Sequence, residues 1–217
     1  MTDLAATDEL FFDQAGLDRE RMQTLVDDAV GQSDDGELFL EYNQSEALVF
    51  DDGQLKSASF DTTQGFGLRT VLGETTGYAH ASELTEEALK RSVETVKAVQ
   101  EGRGGTRDAS PSGTNRHLYS DDNSLNGVEF EKKIKLLGEI DAYARKKDPR
   151  VSQVSASISG DWQAVQIIRP DGVRVADIRP LVRMNVNVVA SDGERMESGS
   201  YGTGGRVSFD QFMETAT

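Results

Sequence analysis

The sequence predicts an α+β fold in which largely antiparallel strands, arranged as two meanders, pack with three main helices. Short segments of alternating apolar and polar residues follow one another with tight turn sequences between them. Such turns connect antiparallel neighbours, because parallel neighbours need a crossover of a dozen or more residues. Apolar residues recur at helical spacing in three other stretches, and these stretches separate the two groups of strands.

The first meander and its flanking helices occupy the first hundred residues. Alternation and turn residues predict strands over residues 37–43, 46–50, 54–60, 65–72 and 75–81. An amphipathic helix is predicted before them over residues 18–32, and a second one begins after Thr85, whose hydroxyl suits an N-cap. We expect residues 1–16 to form a loose arm with a short helix, anchored by Leu10, Phe11 and Phe12.

The second meander follows a loop and a long helix. Residues 103–126 are rich in Gly, Ser, Asp, Thr and Asn, and we expect them to form a mobile loop, with a functional loop as the alternative. The long helix is predicted from Phe130 to the Asp148-Pro149 step. Strands are then predicted over 151–159, 162–169 and 181–189, followed by a hairpin return through Asp192-Gly193 to Tyr201.

The strand over residues 181–189 has two different faces. One face is wholly apolar, whereas the other carries Arg183, Asn185 and Asn187 between apolar ends; the apolar face consists of Val182, Met184, Val186 and Val188. Side chains alternate across a strand, so we expect the apolar face to cover a core and the other to meet water.

Composition excludes several classes of function. The chain has 217 residues, a formal net charge of −15 and a sequence pI near 4.5, which oppose binding to nucleic acid or to an anionic membrane. It has no cysteine, so disulfides and thiol catalysis are excluded within it. The acidic N-terminus lacks the basic residues of a secretion signal, and no run of about 18 apolar residues follows, which favours a cytoplasmic protein.

The glycine-rich segment Tyr201-Gly202-Thr203-Gly204-Gly205-Arg206 is the first candidate site. It does not supply all three features of a dinucleotide fingerprint, which are a strand, the full glycine spacing and a following helix, and turns or bulges also use glycine. Glycine also lets another backbone approach closely, and Arg206 is able to hold a carboxylate in bidentate fashion. We therefore keep Tyr201, Gly202, Gly204, Gly205 and Arg206 as residues that face a substrate or a partner.

Three arginines are candidates for structural ion pairs. Arg69, Arg179 and Arg183 lie in or beside predicted strands, where a planar guanidinium fits a carboxylate. The two histidines, His80 and His117, stand in unrelated contexts, and two histidines without further ligands do not form a metal site. We predict no catalytic residue and no metal ligand in this chain.

Four segments together resemble the N-terminal half of the TldD/PmbA family, in particular its TldD branch. They are GELFLEYNQSEALVFDDGQLK from Gly36, TQGFGLRTVLGETTGYAHA from Thr63, VSQVSASISG from Val151, and DIRPLVRMNVNV followed by GSYGTGGR. The resemblance implies the N-terminal domain, residues 1–217, of a zinc metallopeptidase that also carries the label modulator of DNA gyrase. Family members hold zinc with a histidine and glutamate motif in a C-terminal catalytic domain, and this chain contains no such motif.

The resemblance therefore implies a domain that is inactive alone and whose zinc belongs to the full-length parent. It also implies a PmbA/TldE-like partner subunit and extended peptides as substrates, with the domain contributing to the cleft and to the partner interface. The alternative is a stand-alone peptide- or protein-binding regulatory module without hydrolytic activity, a gyrase-modulator type of adaptor. Self-association is a further expectation, because removal of a catalytic half would expose apolar surface.

Overall fold

The computed structural model describes residues 3–100 and 118–214. Their strands are β1 (Asp35–Asp51), β2 (Gln54–Leu72), β3 (Thr75–Ala81), β4 (Val151–Ile168), β5 (Arg174–Ser191) and β6 (Met196–Gly205). The α-helices are α1 (Asp3–Asp8), α2 (Arg19–Val30), α3 (Glu86–Gln100), α4 (Phe130–Lys147) and α5 (Asp210–Glu214). None of the helices in the described ranges combines the length and the apolar character that a membrane crossing requires.

The six strands form one sheet in the order β3-β2-β1-β4-β5-β6. The order contains two three-stranded meanders, and β2–β3 and β5–β6 pair antiparallel. Strand β1 runs antiparallel to β4, since Glu41 accepts a hydrogen bond from Gln163 whereas Asp51, further along β1, accepts one from the earlier Gln153. The α+β class, the two meanders and the three main helices are thus confirmed.

The strands are longer than the sequence predicts. Each of β1, β2 and β4 runs through a place where the sequence indicated a break, near residues 44, 62 and 160. The reason is that alternation reports burial on one face, whereas a strand is defined by backbone pairing. In β2 the residues between the two predicted strands, 61–64, are all exposed, so no alternation marks that part of the strand.

The chain divides into two compact units, and several strands contribute to both. Unit 1 takes the described residues of ranges 1–43, 63–116 and 163–178. Its core lies where α2 and α3 cover one face of β1 and β2; it is formed by Phe11, Phe12, Met22, Val26, Val30, Leu38, Leu40, Phe66, Leu68, Leu89, Val93, Val96 and Ile168. The expected N-cap of α3 is present, because Thr85 Oγ1 accepts from the backbone N–H of Ala88. Asp18 caps α2 in the same way and accepts from the backbone N–H of Arg21.

Unit 2 takes ranges 44–62, 117–162 and 179–217, of which residues 44–62, 118–162 and 179–214 are described. Helix α4 packs on β1, where Gly138 lies against the ring of Phe50. Its core also includes Leu125, Leu137, Val154, Ile158, Val182 and Phe209. Lys133 belongs to a lysine-rich run of α4 with Lys132 and Lys135, yet it is only 2% exposed.

The described parts of two segments that were expected to be loose make specific contacts. In residues 3–14, helix α1 continues into a π-helical turn, Asp3 and Thr7 are buried beside Phe11 and Phe12, and Gln166 donates to Thr7 Oγ1. Of the predicted mobile loop over 103–126, the part from residue 118 is described. There Leu125 is buried, and Trp162 Nε1 donates to the Asp121 carbonyl.

Candidate functional site

Strand β6 carries most of the glycine-rich candidate residues and is the last strand of the sheet. Its register with β5 places Gly204 opposite Arg183, Thr203 opposite Met184, and Gly202 opposite Asn185. Alternation therefore divides the strand: Gly202 and Gly204 share a face with the polar side chains of β5, whereas Tyr201, Thr203 and Gly205 share the apolar face. Tyr201 is 66% exposed.

The glycines on the polar face make room for β5 itself. A Cβ atom at Gly202 would lie 3.0 Å from Asn185 Oδ1 and 3.4 Å from Arg183 Nη2, and one at Gly204 would lie 2.5 Å from the Val182 carbonyl oxygen. Arg183 Nε in turn donates to Asn185 Oδ1 at 2.9 Å. The sequence indicated that these glycines let another backbone approach closely. In the structure, the neighbouring strand β5 and the side chain of Arg183 make that approach.

Arg206 follows β6 and is tied to its own unit. Its Nη1 donates to the Pro180 carbonyl oxygen at 3.5 Å, and its guanidinium lies 4.9 Å from the centre of the Tyr119 ring. Pro180 lies inside β5, two positions before the pairing with β6 begins at Val182.

The apolar face of β5 and β6 borders an open groove of about 990 Å³. One wall is helix α4, and the end is formed by Val207 and Phe212. The residues that line it from α4, β5 and β6 include Leu136, Glu139, Ile140, Tyr143, Met184, Val186, Tyr201 and Thr203. We call this feature the β5–β6 groove. The sequence predicted that this face of β5 covers a core, which holds for the buried Val182, whereas Met184, Val186 and Val188 are only half-buried.

Unit 1 contains a cluster of four charged side chains on β1, on β2 and directly after β4. Arg69 Nη2 lies 2.7 Å from Asp35 Oδ2 and 3.7 Å from Glu37 Oε1. Arg169 pairs with Asp35 as well, and its Nη1 lies 3.0 Å from Glu37 Oε2. Of these four residues, only Arg69 was a candidate from the sequence. Asp35 and Glu37 are two positions apart and therefore share a strand face. The strand was predicted to begin at residue 37, so Asp35 was not recognised as part of it.

The cluster is electrostatically matched. Burial alone would raise the pKa of the Asp35 carboxyl, but hydrogen bonds from Arg169 and Arg69, together with their charges, outweigh burial and hold the pKa below its ordinary value. Arg183 Nε donates to the side-chain amide oxygen of Asn185 rather than to a carboxylate. Arg179 lies half-buried on β5. The structure thus brings Arg183 next to Gly202 and Gly204, while Arg69 lies in the other unit.

Metal-binding residues are not grouped in the part of the chain that the structure describes. There, no three or more His, Cys, Asp or Glu side chains lie where they could hold a metal ion, so no donor set for zinc is present in it. His80 stacks on Tyr78 in β3, with the ring centres 5.7 Å apart. His117 lies outside the described residues.

Two family models match the sequence, and they occur in chain order. Residues 36–99 match PmbA/TldA metallopeptidase domain 1, and residues 123–216 match the PmbA/TldA metallopeptidase central domain. A Metalloprotease TldD homolog from Haemophilus influenzae is 39% identical over 185 residues, and one from Buchnera aphidicola subsp. Acyrthosiphon pisum is 29% identical over 184 residues. These alignments cover 83% and 84% of this chain, and the chain spans 38% of the length of each relative.

Solved structures agree on the fold. A protein described as a modulator of DNA gyrase from Bacteroides thetaiotaomicron has a TM-score of 0.68 at 13% identity, over 91% of this chain and 49% of that chain. TldE from Thermococcus kodakarensis has a TM-score of 0.66 at 16% identity, over 90% of this chain and 46% of that chain. With both family models matched in order and a TldD homologue at 39% identity, the chain belongs to the PmbA/TldD metallopeptidase family.

Proposed function

We propose that this chain is the non-catalytic N-terminal domain of a TldD-like cytoplasmic zinc metallopeptidase that degrades or processes peptides. The observation that carries the proposal is the ordered match to domain 1 and to the central domain of the family. We assign zinc and its ligands to the part of the parent protein that corresponds to the remaining length of the relatives. The described residues of this chain then serve recognition and scaffolding, and the chain alone hydrolyses nothing.

Recognition of substrate is assigned to the outer edge of β6. An edge strand offers unpaired backbone N–H and C=O groups, and an extended peptide adds to such an edge as a further strand. Apart from Tyr201, the residues from Gly199 to Gly205 have small side chains that leave the backbone of β6 accessible, and most residues of the strand are exposed. Tyr201, Gly202, Gly204 and Gly205 would face the bound peptide, and Arg206 would lie at the end of the strand.

Assembly with a PmbA/TldE-like subunit is the second part of the proposal. Its support is the similarity in fold to TldE from Thermococcus kodakarensis, which indicates that this architecture occurs on the TldE side of the family as well. Self-association of the isolated chain remains an alternative use of the same surfaces, and size-exclusion chromatography with and without the partner separates the two.

The first experiment measures zinc content and peptide cleavage. The 217-residue chain and the longest protein that its gene encodes would be purified side by side, each with and without the PmbA/TldE-like partner. We expect zinc and chelator-sensitive cleavage only in the longer protein. Peptidase activity that copurifies with the 217-residue chain would contradict the proposal, whereas a longer protein without zinc or activity would favour the regulatory adaptor.

A second experiment tests the edge of β6 by proline substitution. In an antiparallel strand, the N–H groups of consecutive residues point to opposite edges. Of Gly199→Pro and Ser200→Pro, we therefore expect one to break the pairing with β5 and the other to remove only an outward N–H. In the longer protein, the well-folded variant of the two should raise the KM for peptides with little change in kcat. An unchanged KM in that variant would exclude β6 as the peptide-binding edge.

A further inference from the structure

The β5–β6 groove is an apolar sheet face that lies uncovered beside a helix. Helix α4 covers β1, where Gly138 packs on Phe50, and in strand order β5 and β6 extend beyond β4 on the side away from β1. On the groove face, Met184 and Val186 are half-buried and Tyr201 is exposed. Contiguous apolar surface of this kind marks a site of contact with another element.

The dimensions of the uncovered face suit one helix. Neighbouring strands are about 4.8 Å apart, so β5 and β6 together present a strip about 10 Å wide, which matches the diameter of an α-helix with its side chains. The register from Val182–Gly205 to Val188–Gly199 extends the strip over about 20 Å at 3.4 Å per residue. A helix of about 13 residues covers that length.

An extended peptide suits the groove less well than a helix. The groove lies on the face of the sheet, where the ladder hydrogen bonds of β5 and β6 point sideways and are not available to a segment above them. A segment that lies there must satisfy its own backbone N–H and C=O groups, which a helix does internally. The groove and the outer edge of β6 are therefore separate surfaces that take different partners.

The groove sets no sign on the charge of its occupant. Glu139 is the charged side chain among the described residues that line the groove, and it already pairs with Lys135 of the same helix, with Lys135 Nζ 3.6 Å from Glu139 Oε1. The occupant therefore needs an apolar stripe toward the groove, as an amphipathic helix has. Gln211 and Phe212 of α5 also line the groove, so a helix that follows α5 in the polypeptide needs only a short connection to reach it.

We propose that the β5–β6 groove docks an amphipathic helix of about 13 residues that follows α5 in the same polypeptide. The inference rests on the proposed function, under which this chain is part of a longer protein. Docking of that helix covers Met184, Val186 and Tyr201 and leaves the peptide-binding edge of β6 open.

Cysteine labelling tests the docking, because the 217 residues contain no cysteine. Thr203→Cys places a thiol on the groove face, and Ser200→Cys is the matched control on the opposite face of the same strand. We expect Cys-specific labelling at position 203 to be slowed about tenfold or more in the longer protein relative to the 217-residue chain. Labelling at position 200 should be equal in the two, and rates are corrected with the unsubstituted proteins.

Each other outcome overturns the inference. Equal labelling at position 203 in both proteins would mean that no following segment covers the groove, even if zinc and cleavage support the proposed function. Protection in the 217-residue chain that grows with protein concentration would mean that a second copy occupies the groove. Far-UV circular dichroism checks that the variants fold, and Gln211→Cys replaces Thr203→Cys if that variant does not.

Discussion

The ammonium group of Lys133 lies 2.5 Å from Glu46 Oε2, and the two side chains are only 2% and 10% exposed. The same Nζ donates to the Leu125 carbonyl oxygen at 2.9 Å and lies 4.4 Å from the centre of the Phe209 ring. One lysine of α4 therefore joins β1, the segment before α4 and the segment before α5. A charge can be withdrawn from water in this way only when it is paired and its donors are satisfied.

Replacement of this lysine by an apolar side chain should be strongly destabilising. In Lys133→Met, Glu46 keeps its charge but loses its partner, and we expect the free energy of unfolding to fall by about 3–5 kcal/mol. Urea unfolding followed by circular dichroism measures the change. The control is Lys135→Met on the same helix, whose exposed pair with Glu139 contributes little, so that its effect should stay within about 0.5 kcal/mol. Equal effects of the two variants would contradict the assigned role of the buried pair.

Removal of both charges should cost less than removal of one. The double variant Glu46→Leu/Lys133→Met leaves no uncompensated carboxylate, and apolar replacement of a whole buried pair is often close to neutral. The double-mutant cycle should then return a coupling free energy of about 1–3 kcal/mol between positions 46 and 133. Strict additivity of the single effects would show that Lys133 acts through packing and its carbonyl bond rather than through Glu46.

The space around Gly160 has no room for a methyl group. A Cβ atom there would lie 2.7 Å from Leu125 Cδ2 and 2.8 Å from Phe209 Cζ, and both side chains are buried. We expect Gly160→Ala to destabilise the protein by about 1–3 kcal/mol through overpacking. Gly199→Ala is the matched strand control, because its Cβ meets nothing within 4 Å, and alanine should be neutral or slightly stabilising there. Thermal unfolding of the two variants compares the signs directly, and a neutral Gly160→Ala would contradict the packing.

The sequence predicted the class of fold and the order of elements because those depend on local signals. Turn residues such as Asp52-Gly53 and Asp192-Gly193 identify hairpins wherever they occur, and the three long helices have a clear apolar stripe. Strand length was underestimated because pairing leaves no mark on an exposed segment such as residues 61–64 of β2. Tertiary pairing is what extends these strands, and it joins residues far apart in the sequence.

The contacts of the candidate residues also join positions that are far apart in the sequence, so local patterns do not predict them. The glycines near residue 202 were recognised as places of close approach, but local sequence does not say that Arg183, 19 positions earlier, lies against them. Lys133 belonged to a run of lysines that is typical of a solvated helix face, and its burial depends on Glu46, 87 positions away. Arg169 and Asp35 are 134 positions apart, so their pairing could not be read from spacing.

The exposed pair of Asp148 and Arg150 at the end of α4 provides a direct check on local electrostatics. Side-chain and backbone hydrogen bonds from Arg150, reinforced by its charge, lower the pKa of Asp148 from 3.8 to about 2. In Arg150→Ala the side-chain bond and the charge are lost, so the pKa should rise back toward 3.8. NMR titration of the carboxyl carbon measures it in both proteins. A pKa near 2 that persists in the variant would assign the shift to the backbone N–H alone.

The cluster around Asp35 should make stability depend on acid pH. The pKa of Asp35 is lowered in the folded protein by Arg169 and Arg69, so its ionised form contributes stability that is fully present above the ordinary pKa of 3.8 and is lost as the pH falls through the lowered value. In Arg169→Met this contribution shrinks, and the variant should be less stable than the original protein near neutral pH. The difference in stability should narrow below about pH 4, where Asp35 becomes protonated in the unfolded chain.

Urea unfolding at a series of pH values from about 2 to 7 measures this difference in stability. Arg195→Met is the control, because the Arg195–Glu197 pair is exposed and should contribute little at any pH. A difference between Arg169→Met and the original protein that stays constant over the whole range would mean that Arg169 stabilises unit 1 by packing rather than by its charge.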